Sequence, residues 1–304
     1  MRPMVMGKQA ARHLSYCEEI AIGPDGRVCL PSLRFMLAYG CNLKCQLCHN
    51  SFFAGIVSKE EITGTFEKWS PKVSPRLIRL YGGEPLLNPD LAEITVAARR
   101  YWSQSSIQIC SNGLLIPRLS DDTLRLLAES NAWFYISQHE DTNEYRDILK
   151  QSFLRFERFN IRYKSVGFFD RWRKAFETDS DGLPIPHHSD PQKAFDACNE
   201  VKRCVRVEGN FMYRCARIAT LLRALDTGTV SPSPEWDRVR AYRGCSFQST
   251  HEEIIRYLQS GPGPECSICP EKHTLVPFRQ YTVEEIQHVK EIAQQRNRQT
   301  ETVR

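Results

Sequence analysis

Cysteines are the residues of this chain whose spacing points most directly to chemistry. The sequence has 304 residues and 12 cysteines, and three of them, Cys41, Cys45 and Cys48, form the pattern C-x3-C-x2-C. A second group falls between positions 198 and 269, and its members are Cys198, Cys204, Cys215, Cys245, Cys266 and Cys269. The first residues lack the apolar core of a signal peptide, so in a chain of this length we expect metal ligands rather than disulfides.

The count of three in the first group narrows the kind of metal centre. A structural zinc or a plain electron-transfer cluster usually takes four protein ligands and keeps no open position. Three thiolates on a [4Fe–4S] cluster leave one iron free for another ligand. The alternative is a zinc site that His49 or a distant cysteine completes.

Short apolar runs alternate with helical patterns and place these cysteines at a strand end. Strands are predicted at 33–39, 77–81, 106–110, 132–137 and 161–169, and helices at 61–69, 89–102, 120–130 and 144–156. This alternation predicts βα units around a parallel sheet. In such folds the chemistry gathers at the carboxyl ends of the strands. The first cysteine group follows the first of these strands, where the fold builds its site.

Together with Gly82-Gly83-Glu84-Pro85 at the end of the second strand, the first cysteine group resembles the radical S-adenosylmethionine (radical SAM) superfamily. The family has both the C-x3-C-x2-C spacing after its first strand and this GGEP motif. The resemblance implies an α/β fold with a partial (β/α)6 TIM-type barrel and a [4Fe–4S] cluster whose open iron binds S-adenosylmethionine (SAM). It also implies reductive cleavage of SAM to a 5′-deoxyadenosyl radical, which abstracts a hydrogen atom from the substrate.

The resemblance also implies which residues contact SAM. A glycine pair lets the backbone approach a ligand closely, and polar groups of Gly82, Gly83 and Glu84 are expected near the SAM ammonium. Three positions at the ends of later strands match family contacts to the ribose or methionyl part of SAM, and these are Ser111, Asn112 and Ser137. Leu47, between two cluster ligands, matches a family position near the adenine of SAM.

The second cysteine group accompanies a change of pattern. Residues 171–197 have the composition of a linker, 201–215 predict a β-hairpin, and 216–225 predict a helix. Hairpin, helix and a later C-x2-C resemble the twitch subdomain, a shortened SPASM domain that holds one auxiliary [4Fe–4S] cluster. The resemblance implies as ligands Cys215, Cys266 and Cys269, with either Cys198 or Cys204. Four thiolates suit a structural zinc equally well.

These patterns divide the chain into four parts. We expect an N-terminal extension at 1–30, the partial barrel at 31–190, a twitch/SPASM-like domain at 191–280 and a C-terminal helix at 281–304. A hydrophobic fraction of 41% and a net charge of +5 indicate a packed protein and do not favour a nucleic-acid partner. No apolar run approaches the roughly 20 residues that span a bilayer, so a cytoplasmic protein is expected.

The resemblance leaves the reaction open. We favour dehydrogenation of a small molecule such as a sugar or aminocyclitol, with the auxiliary cluster as electron acceptor and flavodoxin or ferredoxin as external one-electron reductant. An epimerase would instead return a hydrogen atom from a cysteine, for which Cys204 and Cys245 are the candidates. A maturase would act on a short peptide, and an RNA-modifying enzyme would need an added RNA-binding domain. A zinc-binding interaction module is the non-enzymatic alternative.

Four further residues complete the set that the sequence singles out. Cys17, Cys29 and Cys110 are expected to be buried as small apolar residues. Lys164, on the last predicted strand, either faces the barrel interior, where it would meet a substrate carboxylate, or lies on the surface.

Overall fold

The computed structural model describes residues 19–48, 50, 52–168, 170–198 and 205–302. Its first part alternates strands and helices: β1 (Ala21–Ile22), β2 (Val28–Ala38), α1 (Lys59–Trp69), β3 (Val73–Gly82), α2 (Leu91–Tyr101), β4 (Ser106–Ser111), α3 (Asp121–Glu129), β5 (Ala132–Ser137), α4 (Asn143–Arg158) and β6 (Arg162–Val166). Each strand and helix predicted in this part forms. The first two long strands begin several residues earlier than predicted.

The second part is built from shorter elements: β7 (Arg171–Lys174), β8 (Glu177–Thr178), β9 (Pro184–Ile185), α5 (Pro191–Ala197), β10 (Arg206–Glu208), β11 (Phe211–Tyr213), α6 (Ala216–Asp226), α7 (Asp237–Ala241), β12 (Cys245–Ser246), α8 (His251–Gln259), β13 (Thr274–Pro277) and α9 (Val283–Thr302). The prediction of a linker at 171–197 is wrong, because β7 pairs with β13 and β8 pairs with β9. The proline-rich and aspartate-rich composition there marks turns between short strands.

The central sheet confirms the predicted α/β fold with a parallel sheet. In the described part of the chain, six neighbouring strands run parallel in the order β10-β2-β3-β4-β5-β6, and β11 and β12 continue the sheet antiparallel. The sixth parallel strand is β10, which lies beside β2 rather than following β6. The hairpin predicted within 201–215 therefore forms, and it shares one sheet with the barrel strands.

The two faces of this sheet differ because successive side chains of a strand point to opposite sides. One set of residues stands in register and is buried: Phe35, Leu80, Ile109 and Phe134. Helices cover this outer face, since Phe66 of α1 lies 4.7 Å from Phe35 and Phe156 of α4 lies 4.5 Å from Phe134, between ring centroids. The opposite, inner face carries the preceding residue of each strand: Arg34, Arg79, Gln108 and Trp133.

Side-chain caps determine where the barrel helices begin. The hydroxyl groups of Ser58, Ser120 and Thr142 each accept a hydrogen bond from a backbone N–H three residues later, at 3.0–3.1 Å. Ser120 is the first residue of the helix predicted at 120–130, and serine is a preferred cap residue. These caps fix the lengths of the loops that leave the carboxyl ends of the strands. Across the described residues, every helix is too short or too polar to pass through a bilayer.

Candidate functional site

The first cysteine group occupies the loop after β2, and a distant segment of the chain holds this loop in place. Cys45 and Gln280 form an isolated antiparallel bridge. The backbone N–H of Tyr281 donates to the Lys44 carbonyl oxygen at 2.7 Å, and the Lys44 N–H donates to Oε1 of Gln280 at 3.0 Å. The sequence does not predict this contact, which joins residues 236 positions apart.

The thiols of Cys41, Cys45 and Cys48 are close enough to affect one another electrostatically. Burial raises the pKa of Cys41 to about 11 and also raises the pKa of Cys45, and the neighbouring thiols add to both shifts. The backbone N–H of Leu43 opposes the shift at Cys41, because it donates to Sγ at 3.4 Å. Without a metal the thiols of Cys41 and Cys45 hold their protons at neutral pH, so metal binding must displace those protons.

His139 lies beside the cysteine loop, and the sequence analysis missed it. Its Nδ1 is 3.6 Å from Sγ of Cys45, and its Nε2 is 3.0 Å from Oγ of Ser137. Burial lowers the pKa of His139 to about 4, so the ring is neutral at pH 7 and donates from one nitrogen only. The ring of Trp172 lies 5.3 Å away between centroids. The only signal in the sequence was a histidine two residues after a strand end.

The glycine motif is a backbone contact between the end of β3 and the start of the cysteine loop. A Cβ atom on Gly82 would stand 2.3 Å from the carbonyl oxygen of Ala38, and one on Gly83 would stand 2.2 Å from that of Gly40. The N–H of Gly83 donates to Ala38 O at 2.8 Å, and the N–H of Glu84 donates to Gly40 O at 2.9 Å. The close approach of the two strand ends therefore requires both glycines, whether or not a ligand is bound.

Glu84 is fully buried and joins β3 to the end of β4. Its carboxylate accepts hydrogen bonds from Oγ of Ser111 at 2.9 Å, from the Asn112 N–H at 2.9 Å and from the Leu86 N–H at 3.1 Å. Burial raises the pKa of Glu84 to about 7, although these donors favour the ionised form. The side chain thus positions Ser111 and Asn112.

The other residues predicted to contact SAM surround the same loop. Nδ2 of Asn112 donates to Oδ1 of Asn42 at 2.8 Å and lies 3.9 Å from Sγ of Cys41. Ser137 meets the loop through His139, and Leu47 has a left-handed backbone with φ of 70°. The carboxyl ends of four neighbouring strands thus surround a loop with three thiol donors, an arrangement that fits a cluster with three protein ligands.

A cavity, here called the Cys48 cavity, opens beside the cysteine loop. Residues of the loop, of the segment around β8 and of α6 line it, including Leu47, Cys48, Phe176, Thr220, Leu221 and Val230. Its wall is mainly apolar, and Thr178 and Thr229 add hydroxyl groups to that of Thr220. Small-molecule sites are mostly apolar with a few polar groups, so this cavity has the lining of a substrate site.

A second cavity brings together four thiols, and we call it the four-cysteine cavity. Its cysteines are Cys198, Cys215, Cys266 and Cys269. Arg217 also lines it, with Nη1 at 3.3 Å from Sγ of Cys269. Burial raises the pKa of Cys215 to about 12 and that of Cys266 to about 11. Burial opposes the charge of Arg217, but the nearby cysteines raise its pKa, so the guanidinium stays cationic.

The remaining cysteines have separate surroundings. Cys17 and Cys204 lie outside the described residues. Cys245 of β12 is buried and stands in register, through Met212 and Val207, with Phe35 of the outer face. It therefore lies on the side of the sheet away from the inner face, and its predicted role as a hydrogen donor has no geometric support. Cys110 is not in apolar surroundings, because its thiol donates to Oε1 of Gln108 at 3.4 Å on the inner face. Over the described residues, no three His, Cys, Asp or Glu side chains are arranged to hold a single metal ion.

Comparison with known proteins identifies the region around the first cysteine loop. Residues 36–176 match the model of the radical SAM superfamily. This stretch of the chain is therefore a radical SAM domain, which confirms the family resemblance of Cys41, Cys45 and Cys48.

Curated relatives share only part of their length with this chain. A 91-residue stretch is 34% identical to the probable GTP 3′,8-cyclase of Thermoplasma volcanium and covers 29% of this chain and 28% of that protein. A 93-residue stretch is 34% identical to molybdenum cofactor biosynthesis protein 1 of Homo sapiens and covers 29% of this chain and 14% of that protein. The chain thus spans less than a third of these relatives. A crystal structure of BtrN with AdoMet and 2-DOIA aligns over 79% of this chain and 92% of that chain, with 16% identity and a TM-score of 0.44.

Proposed function

We propose that this protein is a cytoplasmic radical SAM enzyme that oxidises a small, sugar-type alcohol. The observation that carries the proposal is the meeting of Cys41, Cys45 and Cys48 with the glycine turn at 82–84 inside the radical SAM domain. Three thiols on one loop suit a [4Fe–4S] cluster with an open iron. When bound, this cluster and SAM supply the 5′-deoxyadenosyl radical that removes a hydrogen atom from the substrate.

The side chains around the loop hold its geometry and exclude water. Glu84 fixes Ser111 and Asn112 at the end of β4, and Asn112 in turn donates to Asn42 of the loop. The apolar wall of the Cys48 cavity keeps water from a reactive carbon. These roles make the strand ends the binding site for SAM, with Leu47 on the side that faces the substrate cavity.

We propose a second [4Fe–4S] cluster in the four-cysteine cavity, within a twitch-like unit. Cys198, Cys215, Cys266 and Cys269 are its ligands, since all four line that cavity. Leu221 of α6 lines both cavities, so a single helix separates them. When bound, this cluster would accept the electron that oxidation releases.

Each turnover needs one electron from an external reductant, and this electron cleaves SAM. Conversion of the alcohol to a carbonyl removes a hydrogen atom from carbon, a proton from the hydroxyl and one electron. The hydrogen atom ends in 5′-deoxyadenosine. A flavodoxin- or ferredoxin-type reductant supplies the electron that cleaves SAM. The protein selects the reacting C–H bond by how it seats the substrate.

The first test is the formation of 5′-deoxyadenosine by reconstituted protein with SAM and dithionite under anaerobic conditions. We expect the wild type to form it, Cys45→Ala to form none, and the control Cys29→Ala, a buried cysteine outside both groups, to match the wild type. Normal formation in Cys45→Ala would overturn the radical assignment.

A second test addresses the four-cysteine cavity, with a panel of candidate sugars as substrates. Cys269→Ala is expected to keep SAM cleavage and lose the oxidised product. A wild-type rate of product formation in this variant would exclude an electron-accepting role for the second cluster.

Epimerisation is a second candidate function, and the position of Cys110 favours it. The thiol lies on the inner face, and burial raises its pKa to about 11, so it retains the S–H hydrogen at neutral pH. A substrate radical would take this hydrogen atom, and the external reductant with a solvent proton would restore the thiol. An epimerase would give a product with deuterium at the inverted carbon in D2O, and Cys110→Ala would stop inversion. An oxidised product without deuterium would exclude this alternative.

A further inference from the structure

The inner face of the sheet carries a row of three arginines. Arg206 of β10, Arg34 of β2 and Arg79 of β3 are direct register partners on adjacent strands. Their backbones therefore follow one another at intervals of roughly 4.8 Å. The next residue of each strand is a buried apolar residue of the outer face, so the arginines belong to the opposite side. Three guanidinium groups thus concentrate positive charge on the inner face.

The described acidic side chains balance only part of this charge. Arg206 is 1% exposed and donates to Oε2 of Glu208 at 2.6 Å and to Oγ1 of Thr220 at 3.0 Å. Arg79 makes no hydrogen bond or ion pair with any described residue, and its Nε is buried without an acceptor, as is Nε of Arg206. A buried donor on a cationic group is costly when it has no acceptor. The Arg79 side chain as a whole is only partly buried, and an oxyanion on the inner face is the chemical group that would pair with its remaining N–H groups.

Lys164 adds a fourth cation to the same face. Its neighbour Tyr163 stacks on Phe153 of α4, with ring centroids 4.5 Å apart, so Tyr163 faces outward and Lys164 faces inward. Lys164 stands in register with Tyr135, which stands in register with Cys110. Lys164 therefore lies on the inner side of β6, the edge strand of the sheet, where it is exposed.

The arginine row adjoins the Cys48 cavity through one shared residue. Thr220 lines that cavity, and its hydroxyl accepts the hydrogen bond from Arg206. The three arginines themselves do not line the cavity, so a substrate that contacts them must extend from the cavity past Thr220 onto the inner face. The reacting carbon would then lie on the side of the cysteine loop, and a charged group on the side of the arginines.

We propose that the inner face binds an oxyanion of the substrate, a carboxylate or a phosphate, with Arg79 as its main ligand and Arg34 and Arg206 beside it. This inference rests on the proposed function and narrows its substrate to an acidic small molecule, such as a sugar acid or a sugar phosphate. A cationic aminocyclitol, one of the substrates expected from the sequence, meets like charges on this face.

The test is direct binding of simple ions to the cluster-reconstituted protein with SAM, by calorimetry at low ionic strength. The probes are inorganic phosphate, acetate and the cation glucosamine, so the first two also distinguish phosphate from carboxylate. We expect at least one anion to bind, and Arg79→Gln to weaken it about 10-fold or more, as loss of a charge-assisted hydrogen bond does. Arg79→Lys should retain part of the affinity. Arg100→Gln, an exposed arginine of α2, should match the wild type.

Three results would overturn the anion site: no binding of either anion to the wild type, equal losses in Arg79→Gln and Arg100→Gln, or glucosamine binding as tightly as the anions. If Arg79→Gln does not fold, phenylglyoxal labelling of wild-type Arg79 gives the answer, since bound anion should slow its modification and unchanged labelling would refute the site. The 5′-deoxyadenosine assay separates the two proposals. Arg79-dependent anion binding without SAM cleavage would leave the anion site standing and reject the radical enzyme.

Discussion

Gly83→Ala tests the claim that the glycine motif is a contact between strand ends. The added Cβ atom would stand 2.2 Å from the oxygen and 2.6 Å from the carbon of the Gly40 carbonyl, and both are backbone atoms. No rotamer change relieves such a clash, so the end of β3 and the start of the cysteine loop must separate. The variant therefore affects stability and the position of Cys41 together.

The structure sets the size of this effect. Overpacking of a close contact costs about 1–3 kcal/mol, and loss of the hydrogen bond from Glu84 N–H to Gly40 O, 2.9 Å long, adds about 1 kcal/mol. A loss of about 2–4 kcal/mol lowers the melting temperature of a chain of this size by roughly 5–15 °C. The matched control is Gly64→Ala within α1, where an added Cβ meets nothing within 4 Å. That change should stabilise the protein by about 0.5–1 kcal/mol.

Thermal unfolding followed by circular dichroism, with iron measured after reconstitution, gives the two readouts. Gly83→Ala should melt lower than the wild type and lose iron at the first cysteine loop, whereas Gly64→Ala should melt higher and keep all of its iron. If the melting temperature of Gly83→Ala lay within about 1 °C of that of the wild type and the variant bound the same amount of iron, the claim of a close contact between β3 and the cysteine loop would be refuted.

Three further predictions concern buried groups. Glu84 keeps its proton to higher pH when folded, with a pKa raised by burial from 4.5 to about 7. Its contribution to the free energy of unfolding therefore falls by about 3 kcal/mol as the pH rises from 4.5 to about 7. In urea unfolding measured at several pH values, Glu84→Gln should lack this pH dependence. The same pH dependence in Glu84→Gln and the wild type would contradict a raised pKa of Glu84. Cys198→Ala should halve the iron bound after reconstitution, and Cys204→Ala should leave the bound iron unchanged. The reverse result would show that Cys204, and not Cys198, is a ligand of the second cluster. His139→Phe should make the reduction potential of the first cluster more negative in an EPR titration, because a hydrogen bond to a ligand sulfur raises that potential; an equal potential would show that Nδ1 does not donate to Cys45.

Local patterns predicted the elements that local forces determine. The alternation of apolar residues marked β5 at 132–137, and Ser120 marked the start of α3 through its side-chain cap. Each of these depends on residues that are neighbours in sequence, so periodicity and turn chemistry were sufficient.

Contacts between distant segments were not predictable in this way. β7 pairs with β13 across about a hundred residues, and the polar composition of 171–197 concealed that pairing. Residues 279–281 support the cysteine loop through two backbone hydrogen bonds and through the side chain of Gln280, and no local pattern indicates that this segment meets Lys44. The choice between Cys198 and Cys204 depends on which thiol faces the cavity, and spacing alone does not determine that direction. Cys198 lines the cavity, whereas Cys204 lies outside the described residues.

The bridge between Cys45 and Gln280 has a consequence for the order in which the protein matures. A nascent chain that ends before residue 280 contains all three cysteines of the first loop, but it lacks the backbone groups that hold Lys44 and Tyr281 together. The barrel strands can pair before that point, because their partners are close in sequence. We therefore expect that assembly of an iron–sulfur centre on this loop waits until residues 280 and 281 have left the ribosome.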